Sequence, residues 1–334
     1  MTRLDSGPEA EAHESAEPCD GPRTLLLESR EVPLGGVRAM EVHRTLPQRD
    51  LPMVGAWCFL DRFGPQETRM RVEPHPHIGL QTVTWPFIGT VRHRDTVGSD
   101  ALVQRGVLNL MTSGRGIAHS EYSVGDDPVP LDALQLWVAL PESRRHGAPA
   151  FERHDQLPVL ELDAVEGDKG FAAVVLGELG GLTSPASVYT PIVGAEIRIA
   201  PGSRLRIPLH QEWEYAIVGI DGVVGVEAGA EVGADDGTID VDHSHLLYLG
   251  IRRDAIEVAS PDGATIFLLG GEPFEDDIVM WWNFVGRTHE EIVDAREAWE
   301  ADADRFGHVR GHGDERIPAP PLPGVRLTQR RRRF

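Results

Sequence analysis

Cysteine is nearly absent: only Cys19 and Cys58 occur in 334 residues. Two such thiols build no disulfide framework, and this usage fits a reducing compartment. Aromatic residues are scarce, at 6%. No apolar run approaches the roughly 20 residues that cross a bilayer as a helix. Basic residues are outnumbered, 32 against 53 acidic ones, for a formal charge of −21. A body of that sign repels nucleic-acid phosphates and anionic membrane surfaces. The opening stretch MTRLDSGPEAEAHE has no apolar core behind Arg3, so it lacks the pattern of a secretory signal. These shortages predict a cytoplasmic protein without nucleic-acid or membrane partners.

Turn-forming residues are abundant, with 36 Gly and 25 Pro. Between them lie short strand-like segments, among them Thr24–Ser29, Met40–Arg44, His75–Trp85, Leu108–Thr112, Leu134–Leu140, Tyr215–Val218, Leu246–Leu249 and Thr265–Leu269. Their spacing is that of sandwiches or barrels, so the fold class is all-β. One helix stands out, from about Thr288 to Phe306. Thr288 and Glu291 have capping-box spacing, and Ile292, Ala295, Trp299, Ala303 and Phe306 form one apolar stripe. The expected organisation is an acidic disordered tail over 1–22 that includes Cys19, a β unit over 23–142, a connection over 143–189, a second β unit over 190–285, the helix over 286–306, and a Pro/Arg-rich tail over 307–334. Cys58, within an apolar strand pattern, is expected to be buried and inert.

The most informative segment is His75-Pro76-His77-Ile78-Gly79-Leu80-Gln81. On a strand, alternate residues share a side, so His75, His77, Gly79, Gln81, Val83 and Trp85 would face together. A second pair, His119 and Glu121, is also spaced by two. Three imidazoles and a carboxylate inside one barrel make a competent site for a divalent transition metal. A carboxylate buried alone costs several kcal/mol, and neutral imidazoles do not offset its charge. A divalent ion does, leaving the site near +1 and receptive to an ionisable oxygen ligand. The alternative is two solvated pairs on outer faces; two such pairs, both flanked by glycine turns, argue against it.

These residues carry a family resemblance. VGAWCFLDRFGP (54–65), EPHPHIGLQTVTW (73–85), MTSGRGIAHSEYS (111–123) and LQLWVALP (134–141) together resemble the pirin family of the cupin superfamily. GGEPFEDDIVMWWNFVGRTHEEI (270–292) is similar to its C-terminal signature. The resemblance implies a bicupin: two antiparallel cupin-type β-barrels, with metal only in the N-terminal one, to which the late C-terminal helix read above is added. It places the metal ligands on His75, His77, His119 and Glu121, with Fe(II) as the usual ion and other divalent transition metals as substitutes. The carboxylate of the commoner cupin pattern would fall at Gln81, a poor ligand, which fits Glu121 taking that role. Some pirins cleave flavonols such as quercetin with dioxygen. Others regulate partner proteins without turnover, so a redox-sensitive regulator that binds a protein partner through the metal-site surface is the alternative function. In the enzymatic reading, the partners are a small phenolic substrate and dioxygen, and Glu121 doubles as the catalytic base. Ile78 and the turn PFIGTVRHRDTVG (86–98) depart from the family pattern near the expected pocket mouth.

Other candidates carry less. His210 with Glu212 and Glu214, and the pair His243 and His245, read as structure in a metal-free second barrel. His43, His93 and His154 are isolated, His93 being best placed to gate a pocket. Gln81 could orient a ligand imidazole. Gly114-Arg115-Gly116 is too short for a phosphate loop and serves a tight turn. Arg330–Arg333 would meet the acidic body or stay free.

Overall fold

The computed structural model describes residues 19–33, 41–227 and 237–329. The proposed acidic tail, apart from its last residues, and Arg330–Arg333 lie outside the described residues. The chain is a bicupin, as the resemblance implied, with one short helix among the described residues. The first twelve strands among the described residues are β1 (Pro22–Glu28), β2 (Arg30–Pro33), β3 (Glu41–Leu46), β4 (Trp57–Thr68), β5 (Arg71–His77), β6 (Leu80–Ile88), β7 (Thr90–Asp95), β8 (Asp100–Gln104), β9 (Leu108–Thr112), β10 (Ile117–Ser123), β11 (Val129–Ala139) and β12 (Ala150–His154). The N-terminal barrel packs a small sheet, β5-β10-β7-β8, against a large one, β12-β9-β6-β11-β4-β3-β2. The C-terminal barrel repeats the plan with a large sheet that includes His245–Gly250, Glu214–Asp221, Ala264–Gly271, Ile192–Ile199 and Gly170–Leu179.

The pairings redraw the expected boundaries. β1 does not join the N-terminal barrel; it pairs antiparallel with His245–Gly250 of the other. The segment 143–189 is not a bare connection. β12 completes the N-terminal large sheet, whereas Val159–Leu162 and Gly170–Leu179 belong to the C-terminal one. Cys19, expected in a floppy tail, is buried between the barrels, because β1 carries its approach across the second sheet.

The two large sheets stand back to back and bury one continuous apolar layer. Trp57, Leu60, Val83, Trp85, Leu134 and Leu136 come from the first, and Ala216, Leu246, Tyr248 and Phe267 from the second. The period-two pattern of Leu134, Leu136 and Val138 supplies this face. Polar anchors fix the register: Trp57 donates its indole N–H to the Val193 carbonyl at 3.0 Å, and Arg62 binds Asp132 at 2.8 Å and the Ile220 carbonyl at 2.8 Å.

The opposite faces of these strands fill the N-terminal barrel. Across β4, β11 and β6, directly paired positions form layers. Phe63 and Ala133 join an apolar floor with Val42, Met70, Val91 and Val103. Phe59 and Trp137 join an apolar roof with Met53, Leu80 and Ile278. Between them Asp61, Gln135 and Thr84 make a polar row. This middle layer faces the small sheet that carries the histidines.

The helix, α1 (His289–Glu300), is shorter than the stripe suggested. Thr288 caps it, accepting from the Glu291 N–H at 3.2 Å. The reciprocal half of the capping box does not form. The Glu291 carboxylate instead accepts from the Arg287 N–H at 2.6 Å and pairs with Arg145 at 2.8 Å. Beyond Glu300 the chain leaves the helix, so Ala303 is exposed while Phe306 still returns to the cluster with Ile292, Ala295 and Trp299. Residues 307–329 then run, without regular structure, back along the small sheet. Ile317 donates its N–H to the Pro74 carbonyl at 2.8 Å, and His312 is buried against Ser120 at 2.9 Å. The segment expected as a Pro/Arg-rich tail is, over these residues, a packed strap.

Candidate metal centre

His75 and His77 lie on β5, and His119 pairs directly opposite His75 on β10. A bulge follows: Glu121 pairs with Val72, so residues 73 and 74 face one residue of β10. The extra residue resets the alternation. His75, His77, His119 and Glu121 therefore point inward, while Glu73, Ser120 and Tyr122 meet His312 outside. On the other edge of β10, Glu121 pairs with His93 and His119 with Asp95.

The inward face does not continue to Trp85 as the unbroken alternation predicted. Gly79, at φ +70°, ends β5 and turns the chain into the large sheet. A Cβ there would lie 2.1 Å from the Val285 carbonyl oxygen, so the turn requires glycine. Past it, Val83 and Trp85 pack between the barrels and Thr84 faces the chamber. Gln81 turns away from the imidazoles as well. Its amide donates to Thr112 Oγ1 at 2.9 Å and to the Ser187 carbonyl at 3.1 Å.

Backbone carbonyls fix two of the imidazole tautomers directly, and a neutral His93 fixes the third. A carbonyl only accepts, so His75 donates Nδ1–H to Glu73 at 2.9 Å and His77 donates Nδ1–H to Asn283 at 3.2 Å. His93 Nε2 lies 3.0 Å from Asp95 Oδ2, which leaves its Nδ1 as an acceptor. That atom is 3.3 Å from His119 Nδ1, so His119 donates there. Asp95 itself is fixed by the Val97 and Ser99 N–H groups at 3.0 and 2.9 Å. All three ligand candidates thus present bare Nε2 lone pairs, held from behind as metal-bound histidines are.

Those lone pairs converge. His77 Nε2 and His119 Nε2 are 3.0 Å apart, and one ring nitrogen of each of the three histidines falls within a 4.8 Å group. Two lone pairs at that distance repel unless a cation lies between them. A proton does not serve. Burial pushes His75 down to about 4 and His77 and His119 well below the ordinary imidazole value, and their mutual repulsion pushes the latter two further. A divalent ion serves: nitrogens about 2.1 Å from one ion, at right angles, are roughly 3.0 Å apart. The three histidines fit a metal.

Glu121 groups with His119 and His93 within 4.8 Å rather than with His75 and His77. Its Oε1 lies 2.8 Å from the Thr84 hydroxyl, which is also 2.8 Å from Gln135 Oε1. Burial pushes its carboxyl above the ordinary range, against the Thr84 hydrogen bond and the nearby His93. His93 is therefore not isolated but stands behind His119. Thr84 and Gln135 escaped attention, and His93 reads as isolated in the sequence, because no local pattern links their strands to the histidine motifs.

The remaining candidates do other work. Cys58 is fully buried, and burial pushes its thiol up to about 12. Glu214 accepts from the Gly55 N–H at 2.5 Å and Tyr248 at 2.6 Å, joining the barrels. His210 packs on Trp213, His245 binds Asp242 at 2.7 Å, and His154 lies 3.1 Å from Glu152. His43 and His243 are exposed. Gly114, at φ +49°, turns the chain before β10, and the Arg115 carbonyl accepts from Arg305 at 2.7 Å. No described helix is long and apolar enough to cross a membrane.

Known proteins share this architecture. The Pirin family model matches residues 38–138, and the Pirin C-terminal cupin domain matches 194–307. The chain is similar to a Pseudomonas aeruginosa protein named "Putative quercetin 2,3-dioxygenase", 40% identical over 299 residues, 88% of this chain and 89% of that one. A "Pirin-like protein" of Caulobacter vibrioides is 32% identical over 312 residues, 89% of this chain and 99% of that one. Among solved structures, quercetin 2,3-dioxygenase from Acinetobacter baumannii superposes with TM-score 0.80 at 37% identity, covering 91% of this chain and 97% of that one.

Proposed function

This chain belongs to the pirin family, and from that premise we propose that it is an iron-dependent dioxygenase of flavonol-like phenols, its ion held by His75, His77, His119 and Glu121. The observation that carries the reading is the buried convergence of His77 Nε2, His119 Nε2 and a ring nitrogen of His75, in a chamber roofed by Phe59, Trp137 and Ile278. The names of the two quercetin dioxygenase relatives support the substrate class.

When bound, iron would supply Lewis acidity toward a phenolic hydroxyl and redox chemistry toward dioxygen. The chain's own groups do the rest. Glu73, Asn283 and His93 hold the three imidazoles in one tautomer, so none of the three reorients during reaction. Glu121, desolvated and so more basic than an ordinary carboxylate, takes the phenolic proton. The Thr84 hydroxyl beside Oε1 leaves Oε2 to receive it. The apolar floor and roof exclude water, which strengthens every electrostatic contact inside.

The test is anaerobic reconstitution with Fe(II), followed by oxygen uptake and carbon monoxide release with quercetin. Stoichiometric oxygen consumption supports the reading. No turnover from a fully loaded site overturns it.

A further inference from the structure

Trp137 sits on β11 two residues beyond Gln135 and points to the same interior. It is 5% exposed. Its ring stacks on Phe59 with centroids 3.9 Å apart and meets the His77 ring nearly edge-on at 5.2 Å. Phe59 fixes the plane of the indole, so its N–H has a set direction. Yet Nε1 has no hydrogen-bond acceptor among the described residues. The polar groups of the layer below it are partnered: Thr84 with Glu121 and Gln135, and Asp61 with Arg44 at 2.7 Å. Buried polar groups in folded proteins are almost always paired, and an orphan in a functional chamber calls for an absent acceptor.

We infer that the indole N–H of Trp137 is the hydrogen-bond donor that positions the substrate, binding one of its oxygens above His77. The inference rests on the flavonol reading and makes it more specific. A flavonol carries a hydroxyl and a carbonyl on adjacent carbons. With one oxygen directed at the imidazoles, the other accepts from Trp137, and the stacked Phe59–Trp137 pair forms an aromatic wall beside the rings. Trp137 thereby selects planar phenols with two neighbouring oxygens over simple phenols.

The test uses full-length protein loaded with zinc, which fills the site without oxygen chemistry, and labelled with nitrogen-15 at the indoles. Quercetin is titrated while the seven indole resonances are followed. The expected result is a downfield shift of the Trp137 resonance. In W137F, which keeps the ring but lacks the donor, quercetin affinity should fall about tenfold at unchanged zinc content. If W137F fails to fold, Trp→Phe replacement at the other six positions assigns the resonance, and the wild-type shift decides. Quercetin binding with no shift at Trp137, or with equal affinity in W137F, overturns this inference and leaves the flavonol reading standing. No quercetin binding to wild-type protein overturns both.

Discussion

Acidifying the metal-free protein should destabilise it well before its surface carboxylates titrate. His75 has a folded pKa of about 4 against an ordinary 6.5, because burial disfavours the charged ring. Below 6.5 the unfolded chain binds a proton at this residue that the folded chain refuses. The contribution of His75 is thus fully present above 6.5 and is lost progressively as pH falls toward 4. At about 1.4 kcal/mol per pH unit, that residue alone removes roughly 3 kcal/mol across the window. His77 and His119 shift in the same direction. They do not add in full, since each proton taken up opposes the next. Glu121 acts with opposite sign. Its raised folded pKa favours folding as pH falls through that value, and this offsets part of the loss. The assay is urea unfolding of chelator-treated protein from pH 8 to pH 4, beside the variant His75→Asn. Wild type should lose stability steeply below 6.5, and the variant should lose less. A flat stability curve between 7 and 4.5, or an identical slope in the variant, would refute the burial argument.

Three further perturbations probe the site and its supports. His119→Ala should reduce bound metal to background by elemental analysis, and full occupancy would remove His119 from the ligand set. His93→Gln should weaken metal binding roughly 10–100-fold in chelator competition while leaving the fold intact, because it breaks the Asp95–His93–His119 chain; unchanged affinity would show that chain to be idle. Gly79→Ala should cost about 2–4 kcal/mol in urea unfolding, from a left-handed backbone and a Cβ driven against the Val285 carbonyl. Wild-type stability in that variant would contradict the turn geometry.

The legible part of the site was its strand-local part. His75 with His77, and His119 with Glu121, are pairs spaced by two, and a strand turns that spacing into a shared face whatever its partners. The face of β6 was misread because period-two alternation says nothing about where a strand ends. The chain breaks at Gly79, and a glycine between two apolar residues gives only a weak sign of it. His93, Thr84, Gln135 and Trp137 lie on three other strands. Only the sheet pairings bring them to the histidines, and pairing has no local signature in one sequence. The same reason hid β1, whose partner lies more than 200 residues downstream. The helix start was readable from its Thr288 cap. Its end was not, since Phe306 reaches the same apolar cluster without helical backbone.

X-ray absorption fine structure of the protein carrying one equivalent of zinc tests the central claim most directly. The arrangement of Nε2 atoms predicts scattering from three imidazoles, with nitrogens at about 2.0–2.1 Å from the ion. A spectrum with one imidazole or none, at full occupancy, would contradict it.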